Sequence, residues 1–463
     1  MSTFLVFLLL LLPLTVGSLL VSWFSRRNPL PLPLTMALGF GAGTGVLTHL
    51  FVILNYIELP HRLAMVTVLL GCLGVLLAWL MFVNRNDRRP PISFGPRPRP
   101  DIINISLGLF ILYLLSFIFW NGYSTPIHSW DTLSTMGFKA KIIYYSQFLD
   151  YIPRFGKFDY PLHLPTLMAW TAHGSGGWDD TLVKIIFPLY CLAFSVVLFY
   201  TLRMLTNGRW AVAGVALLFS SGFFVYHATI AYRDMTMMYF NCSCILLILL
   251  WQKSDYRIAL SLAALFSGFT TFIKLEGFGY LGMHNMLVLA ILTFDRKLTL
   301  PEKFRRQLIF SVVSIGIYAV FAVFKKTQIL PNVPDWRVVA THFDLNRVSV
   351  SLGVESLQRV NVVIQRYLEN MFLSGNWNLI WALFAASCLR LERWAQSATL
   401  RYLILYLTMY FGIYLAAYSL TQHYYWVADK YDVMSRSLLH IWPLIIAATC
   451  ILNHQPPSAP DAD

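Results

Sequence analysis

The chain has 463 residues, of which 57% are apolar and only 12% are charged. Soluble domains carry about 25% charged residues, so the composition argues against a water-soluble globular protein. The 35 Lys and Arg exceed the 22 Asp and Glu and give a formal net charge of +13. In a membrane protein such an excess collects in cytoplasmic loops, so it does not by itself indicate a nucleic-acid partner, and we expect none.

Apolar runs long enough to cross a bilayer recur along the whole chain. We therefore predict an all-α polytopic membrane protein with about 13 transmembrane helices, within a range of about 11 to 13. The run 379–389 is short and is equally typical of a tilted, buried or re-entrant segment. The predicted spans are 4–21, 33–57, 63–83, 102–120, 182–202, 210–226, 235–251, 258–273, 278–294, 308–324, 379–389, 402–420 and 438–452.

The distribution of Lys and Arg predicts the orientation of this bundle. If the N-terminus faces outward, the inner loops hold 19 Lys and Arg in 67 residues, whereas the outer loops hold 15 in about 146 residues. Cytoplasmic loops are enriched in these residues. We expect a multi-pass protein of a bacterial inner membrane, with its two long loops, 121–181 and 325–378, on the periplasmic side.

The connections between spans divide the chain into three parts. Residues 1–101 form an N-terminal three-span extension with a basic linker, 102–324 form a core that includes the loop 121–181, and 325–463 hold the second long loop and the last spans. Within the first loop, the three- and four-residue spacing of apolar side chains over 131–149 predicts an amphipathic helix. A second helix is predicted after Pro161 or Pro165. We expect both helices to lie on the outer membrane surface.

Ionisable residues gather where the predicted spans meet the outer face. Such residues are costly there where they are not solvated, which makes them candidates for function. They fall into four clusters, which contain Trp130 and Asp131, the segment from Asp159 to Pro165, the pair Arg233 and Asp234, and the pair Lys274 and Glu276. Taken singly, Asp131 and Asp234 are equally typical of helix N-caps. Both are predicted at the same depth on the same side, however, which favours a shared site.

Two of these segments resemble a known family. The pattern W-D-(x)7-K-A-K from Trp130 to Lys141, followed by D-Y-P-L-H-L-P at 159–165, resembles the GT-C glycosyltransferases. Within them it resembles the bacterial branch related to protein O-mannosyltransferases, aminoarabinose transferases and galacturonosyltransferases. The resemblance runs from about residue 102 to 294, and the segment 432–443 is similar to a late arginine-bearing motif of some members. The chain departs from the family in having Thr132 after Asp131, and Tyr160 rather than Lys before Pro161.

This resemblance implies a GT-C fold and an inverting hexosyl or pentosyl transferase. The donor would be a monosaccharide on a polyprenyl phosphate, and the acceptor a lipid, a glycan or a protein at the periplasmic face. Inversion requires a carboxylate that removes the acceptor proton, and Asp131 is the candidate. Asp234 would orient the acceptor, the sugar or a metal ion. The candidates for binding the donor phosphate are Arg233, Lys274, Arg366 and Arg436.

The remaining candidates for substrate binding are Trp130, Lys139, Asp159, Tyr160, His163 and Glu276. For His163 the alternative is a buried histidine whose hydrogen bonds are satisfied internally. We assign no residue as a metal ligand and no certain cofactor, although Asp131, Asp234 and Glu276 could supply oxygen ligands to Mg²⁺ or Mn²⁺.

Two other functions remain open at this point. One is a glycan polymerase or ligase of the O-antigen type, which depends on Arg and His in a later loop. The other is a lipid or glycan transporter, in which charge within the spans should be plentiful. In this chain almost every ionisable residue lies near a span end, and Lys184 is an exception.

Overall fold

Apolar helices build almost all of this computed structural model, which describes residues 2–56, 61–84, 94–95, 97–98, 100–147, 160–332, 354–421, 423–430 and 432–454. The helices are α1 Ser2–Phe24, α2 Leu32–Asn55, α3 Arg62–Val83, α4 Ile102–Ser124, α5 Gly137–Ser146, α6 His163–Ser175, α7 Ile186–Leu205, α8 Gly208–Ser220, α9 Gly222–Thr229, α10 Arg233–Ser254, α11 Arg257–Thr270, α12 Gly277–Phe294, α13 Leu300–Phe324, α14 Val354–Phe372, α15 Ile380–Cys388, α16 Leu391–Gln396, α17 Ala398–Leu420, α18 His423–Asp429, α19 Asp432–Leu439 and α20 Trp442–Asn453.

Nine helices in the described part of the chain are long and apolar enough to cross a membrane, namely α1 to α4, α7, α10, α12, α13 and α17. Two further spans arise if the bent pairs α8 with α9 and α19 with α20 each count as one, which gives up to 11. The prediction of an all-helical polytopic membrane protein is confirmed. The count of 13 is not, because the predicted span 258–273 is the 14-residue α11 and the predicted span 379–389 is the nine-residue α15.

Polar side chains begin several of these helices by accepting a hydrogen bond from the backbone N–H three residues later. Asp101 caps α4 at 2.8 Å, Asn207 caps α8 at 3.1 Å, and Ser221 caps α9 at 3.1 Å. Such caps satisfy backbone donors that the first helical turn leaves open. The second of the two bent spans is broken between Leu439 and Trp442, and the break contains His440 and Ile441.

Helix α2 lies inside the bundle, in close contact with α1 and α10. A Cβ built on Gly43 of α2 would lie 1.8 Å from the carbonyl oxygen of Pro13 in α1, and one built on Gly41 would lie 2.4 Å from the Tyr239 ring of α10. The Tyr239 hydroxyl donates to the carbonyl of Ala37 at 2.6 Å. Small residues let membrane helices approach this closely. Helix α2 therefore packs with the core, and the division at residue 101 stays a prediction.

The first long loop folds into the protein rather than onto its surface. Thr132–Met136 form a π-helical turn that leads into α5, and Met136, Ala140 and Ile143 are buried as the spacing predicts. Lys139, however, is also buried. Helix α6 is present where it is predicted, but it is buried from His163 to Ala172 and packs against α1, α2 and α5. The prediction that both helices lie on the membrane surface is wrong for α6.

The break between α19 and α20, where the axis bends by 49°, leaves backbone groups open inside the bundle. The carbonyl of His440 at this break accepts hydrogen bonds from the side-chain amide of Asn241 at 3.0 Å and from the thiol of Cys242 at 3.1 Å. Irregular backbone is tolerated at membrane depth when protein groups satisfy it. Helix α10 therefore holds the break in place and brings Arg436 and His440 to its own first turn.

Candidate active site

Asp234, in the first turn of α10, is fully buried and lies at the centre of an ion-pair network. Its carboxylate accepts hydrogen bonds from Lys274 Nζ at 2.9 Å, from Arg436 Nε at 2.9 Å and from His440 Nε2 at 3.0 Å. A buried carboxylate is tolerated only when it is paired and hydrogen-bonded in this way. With Asp131 and Glu276, these residues are called here the Asp234 cluster.

Arg436 joins the two aspartates that the sequence singles out. Its Nη1 donates to Asp131 Oδ2 at 2.7 Å while its Nε binds Asp234, and its guanidinium carbon lies 4.8 Å from the centre of the Tyr232 ring. The Asp131 side chain is 27% exposed and that of Asp234 is 0% exposed. The two carboxylates therefore occupy different environments, and Asp131 is the one that can reach a substrate.

Asp131 keeps one carboxylate oxygen for further contacts. Within the described part of the chain, its side chain binds only Arg436, through Oδ2. Its backbone carbonyl accepts from the Thr135 hydroxyl in the π-helical turn. Next to it, the Thr132 hydroxyl donates to the carbonyl of Ala231 at 2.7 Å and fixes the turn against the start of α10. Oδ1 therefore has no hydrogen-bond partner among the described residues, and the side chain is partly exposed.

Lys274 connects the buried and the exposed carboxylates. It follows α11, which returns antiparallel to α10, and its ammonium also lies 3.3 Å from Glu276 Oε1. Burial alone would lower the pKa of Lys274, but Asp234 and Glu276 outweigh it and the pKa is raised. The Glu276 side chain is 42% exposed. The cluster is thus closed around Asp234 and open at Asp131 and Glu276.

A chain of hydrogen bonds continues from Asp234 into the bundle. His440 Nδ1 lies 2.6 Å from the Tyr280 hydroxyl, which lies 2.7 Å from the Tyr414 hydroxyl. All three side chains are buried. Sequence reasoning did not assign these residues to the site. The available signal was weak, because Tyr406, Tyr410, Tyr414 and Tyr418 recur every four residues on α17, and such a stripe is equally typical of core packing.

Arg233 adds a buried guanidinium whose hydrogen-bonding capacity is largely unused. It lies over the Tyr160 ring at 4.6 Å and is 5% exposed. No described residue accepts a hydrogen bond from its Nε or Nη2. Asp234 and Glu276 are near enough to act on it electrostatically. A buried unsatisfied donor is costly and indicates a place for an anionic ligand.

Two of the predicted substrate-binding residues, His163 and Lys139, are buried. His163 is fully buried, with Nδ1 2.9 Å from the Thr48 hydroxyl and Nε2 2.9 Å from the Tyr190 hydroxyl. Burial lowers its pKa to about 3, so it is neutral. Both of its ring nitrogens are engaged within the protein, as the alternative of a buried histidine implies, and substrate binding by His163 stays a prediction. The ammonium of the buried Lys139 donates to the Tyr160 carbonyl at 3.4 Å, which gives it a structural contact beneath Tyr160.

Three further candidates remain from the sequence. Arg366 on α14 forms an ion pair with Glu369 of the same helix at 2.9 Å. Trp130 is 78% exposed beside Asp131 and is free to contact a ligand at the open side. Asp159 lies outside the described residues.

The donor set of the Asp234 cluster does not suit Mg²⁺ or Mn²⁺. These ions need several carboxylate oxygens without competing cations. Here both oxygens of Asp234 are bound to Lys274, Arg436 and His440, and one oxygen of Asp131 is bound to Arg436. Across the described residues, no group of three His, Cys, Asp or Glu side chains is placed to hold a metal ion.

The cluster offers a partly exposed carboxylate as a proton acceptor and fixed cations next to it. Beside them lies the Arg233 guanidinium, whose Nε and Nη2 have no acceptor in the part of the chain that the structure describes. No family model, curated protein or solved structure matches the chain. A function for the chain is therefore inferred from the chemistry of this cluster.

Proposed function

We propose that the chain is an inverting glycosyltransferase that moves a monosaccharide from a polyprenyl phosphate to a lipid, glycan or protein acceptor. The observation that carries the proposal is the pairing of Asp131 with Arg436, beside Arg233, at one end of a membrane-helix bundle. It combines a base and a phosphate-binding cation at a membrane interface, which a lipid-phosphate donor requires. The GT-C architecture belongs to the same proposal.

In the proposed reaction, the acceptor hydroxyl oxygen attacks the anomeric carbon from the face opposite the phosphate. The bond between that carbon and the phosphate oxygen breaks, and its electron pair leaves with the lipid phosphate. Asp131 Oδ1 takes the acceptor proton. General-base assistance of this kind contributes about 10²- to 10⁴-fold to rate. Because the carboxylate acts only on the acceptor, the sugar is transferred with inversion.

Arg233 is the primary phosphate contact in this proposal, because its buried Nε and Nη2 have no acceptor among the described residues. Arginine binds phosphate oxygens in a forked geometry. Lys274 and Arg436 are already bound by Asp234. Their positive charges attract the phosphate, and the carboxylates of the cluster balance them, so that its net charge stays near zero. Asp234 is therefore a positioning residue. It holds Arg436 so that the guanidinium can orient Asp131.

The direction of the bundle supports a periplasmic site in a bacterial inner membrane. The Asp234 cluster lies at the N-terminal end of α10, whereas Lys253 and Ser254 lie at its C-terminal end. Basic residues of the loops 252–257 and 295–307 gather at that second end. Cytoplasmic loops carry the excess of Lys and Arg, so we assign the cluster to the opposite face.

The test uses the full chain in proteoliposomes with polyprenyl-phosphate pentoses and hexoses labelled in the sugar, together with a membrane extract as the acceptor source. We expect the label to appear in a new covalent product as the polyprenyl phosphate is released. Label that crosses the membrane without a covalent product would identify a transporter. Polymerisation of lipid-diphosphate-linked repeats, with no use of the monophosphate donors, would identify a polymerase or ligase.

A binding measurement separates the phosphate contact from the chemistry. Arg233→Gln should weaken binding of an unlabelled polyprenyl phosphate by at least about tenfold, because a charge-assisted contact is worth about 1.5–3 kcal/mol. The matched control is Arg209→Gln. Arg209 is an exposed arginine at the start of α8, separated from the cluster by the length of α8 and α9. Equal affinity in the two variants would remove Arg233 from the site.

A further inference from the structure

A second charged feature lies at the other end of the bundle from the Asp234 cluster. The C-terminal ends of α10 and α12 and the beginnings of α13 and α17 enclose a groove of about 890 Å³. Helix α10 has 22 residues, so this groove is about 30 Å from Asp234 along the helix axis. The two features therefore face opposite sides of the membrane, and this groove lies on the side where basic loops predict the cytoplasm.

The groove is strongly cationic. Five basic and two acidic side chains line it, and the basic ones are Lys253, Arg296, Lys297, Arg306 and Arg401. The two carboxylates do not neutralise this excess. Asp255 is bound to Arg306 at 2.8 Å, and the Asp295 side chain accepts from the backbone N–H of Lys297 at 2.8 Å.

Three of these cations have no ion-pair partner in the described part of the chain, namely Lys253, Arg296 and Lys297. All three are exposed, and they come from two different connections, one after α10 and one after α12. Cations left unpaired around one groove give it a positive potential that an anion can neutralise.

A buried arginine held by two carboxylates forms the floor of the groove. Arg306 is 6% exposed and is held by Asp255 at 2.8 Å and by Glu302 at 2.9 Å. Its Nε is buried and has no acceptor among the described residues. A guanidinium fixed by two carboxylates at the base of the groove keeps its geometry when a ligand arrives.

Part of the groove wall, formed by side chains of α12 and α17, is apolar. Phe294 is 71% exposed at the end of α12, and Leu405 and Tyr402 of α17 line the opposite wall. An exposed phenylalanine next to unpaired cations at a helix end matches a ligand that has a phosphate head and an acyl chain. A soluble anion would use the cations and would leave Phe294 without a partner.

We propose that this groove binds the phosphate headgroup of an anionic phospholipid, with an acyl chain lying against Phe294 and Leu405. Basic pockets between membrane helices on the cytoplasmic side bind such headgroups. The site is independent of the sugar-transfer reaction, since none of its lining residues belongs to the Asp234 cluster. Its occupation fixes the ends of α10, α12 and α17 against one another.

The test measures binding of dioleoyl-phosphatidylglycerol to the purified full chain in neutral detergent by native mass spectrometry. The variant is Lys253→Gln with Arg296→Gln, which removes one cation from each connection. Each basic residue near an anionic headgroup contributes about 1 kcal/mol, which is about fivefold, so we expect about 30-fold weaker binding when two are removed. The matched control is Arg209→Gln with Arg305→Gln, two exposed arginines outside the groove, and it should bind the lipid as the natural chain does.

Further arms identify the ligand class. Dioleoyl-phosphatidylcholine should bind at least about tenfold more weakly than the anionic lipid, and sn-glycerol 1-phosphate should not compete with it at equal concentration. Competition by sn-glycerol 1-phosphate or by inorganic phosphate would overturn the lipid assignment in favour of a soluble anion. An equal loss of binding in the groove variant and in the control would show non-specific attraction and would also overturn it. Unchanged unfolding midpoints in lipid-free detergent establish that both variants are folded.

Discussion

The buried position of Asp234 makes a quantitative prediction about stability. Asp234→Asn removes the charge that Lys274, Arg436 and His440 share, and it leaves two cations without their buried partner. Removing one member of a buried ion pair costs about 3–5 kcal/mol. The side chains of Lys274 and Arg436 are only 10% and 19% exposed, so water replaces the lost carboxylate only in part, and their other partners, Glu276 and Asp131, are themselves partly exposed. We therefore expect a loss of about 3–5 kcal/mol in the free energy of unfolding.

Asp180→Asn is the matched control for this variant. Asp180 pairs with Lys141 at 3.4 Å, but their side chains are 36% and 41% exposed. Exposed pairs of this kind contribute about 0–1 kcal/mol. Equilibrium unfolding in mixed micelles with increasing denaturing detergent, followed by circular dichroism, measures both variants. A loss for Asp234→Asn within about 1 kcal/mol of the control would refute the assignment of Asp234 as the buried centre of the network.

A double variant tests whether the cost arises from the cations that lose Asp234. After Asp234→Asn, Lys274 keeps only Glu276 as an ion-pair partner among the described residues, and Arg436 keeps only Asp131. Lys274→Met in the Asp234→Asn background removes one of these two cations. The double variant should therefore be more stable than the sum of the single effects predicts, by about 0.5–3 kcal/mol. Strict additivity would show that Lys274 and Asp234 do not depend on each other.

Other parts of the structure give further predictions. Gly43→Ala places a Cβ 1.8 Å from the Pro13 carbonyl oxygen and should lower the free energy of unfolding by about 1–3 kcal/mol or more. Gly412→Ala on α17 meets no atom within 4 Å and should be neutral or slightly stabilising. Thermal unfolding in detergent distinguishes the two variants. Tyr280→Phe removes the hydroxyl that lies within hydrogen-bond distance of His440 Nδ1. It should lower the free energy of unfolding by about 1–3 kcal/mol in the same assay. An unchanged thermal midpoint would contradict the buried chain of hydrogen bonds. The pKa of His163 is lowered to about 3, so below pH 6.5 the unfolded chain binds a proton that the folded chain does not. The free energy of unfolding should therefore fall as the pH drops from 6.5 towards 4. The stability advantage of the natural chain over His163→Asn should shrink over the same range.

The gathering of Asp131, Asp234, Lys274 and Arg436 was predictable from the sequence. Each lies near one end of an apolar segment, and counting the segments places all four at the same face. Polar side chains at one membrane depth pair with one another, because hydrocarbon offers them no other partner. The structure joins all four within one network of hydrogen bonds.

The internal arrangement of that network was not predictable. Burial separates the roles of Asp131 and Asp234, and it depends on how α10 packs against the broken span that contains Arg436. The bend between α19 and α20 leaves no clear signal in an apolar run, because Pro443 lies after the break rather than at it. Lys139 was expected beside the substrate, yet it is buried beneath Tyr160, since α6 packs inside the bundle. These outcomes depend on tertiary contacts that spacing along the chain does not encode.

The measurement that tests the central claim most directly is sugar transfer by Asp131→Asn in proteoliposomes, with affinity for the donor measured on the same preparation. The account predicts donor affinity within about threefold of the natural chain and a rate of transfer at least about 10²-fold lower, because the amide cannot take the acceptor proton. Transfer within about tenfold of the natural rate would contradict the claim that Asp131 is the base.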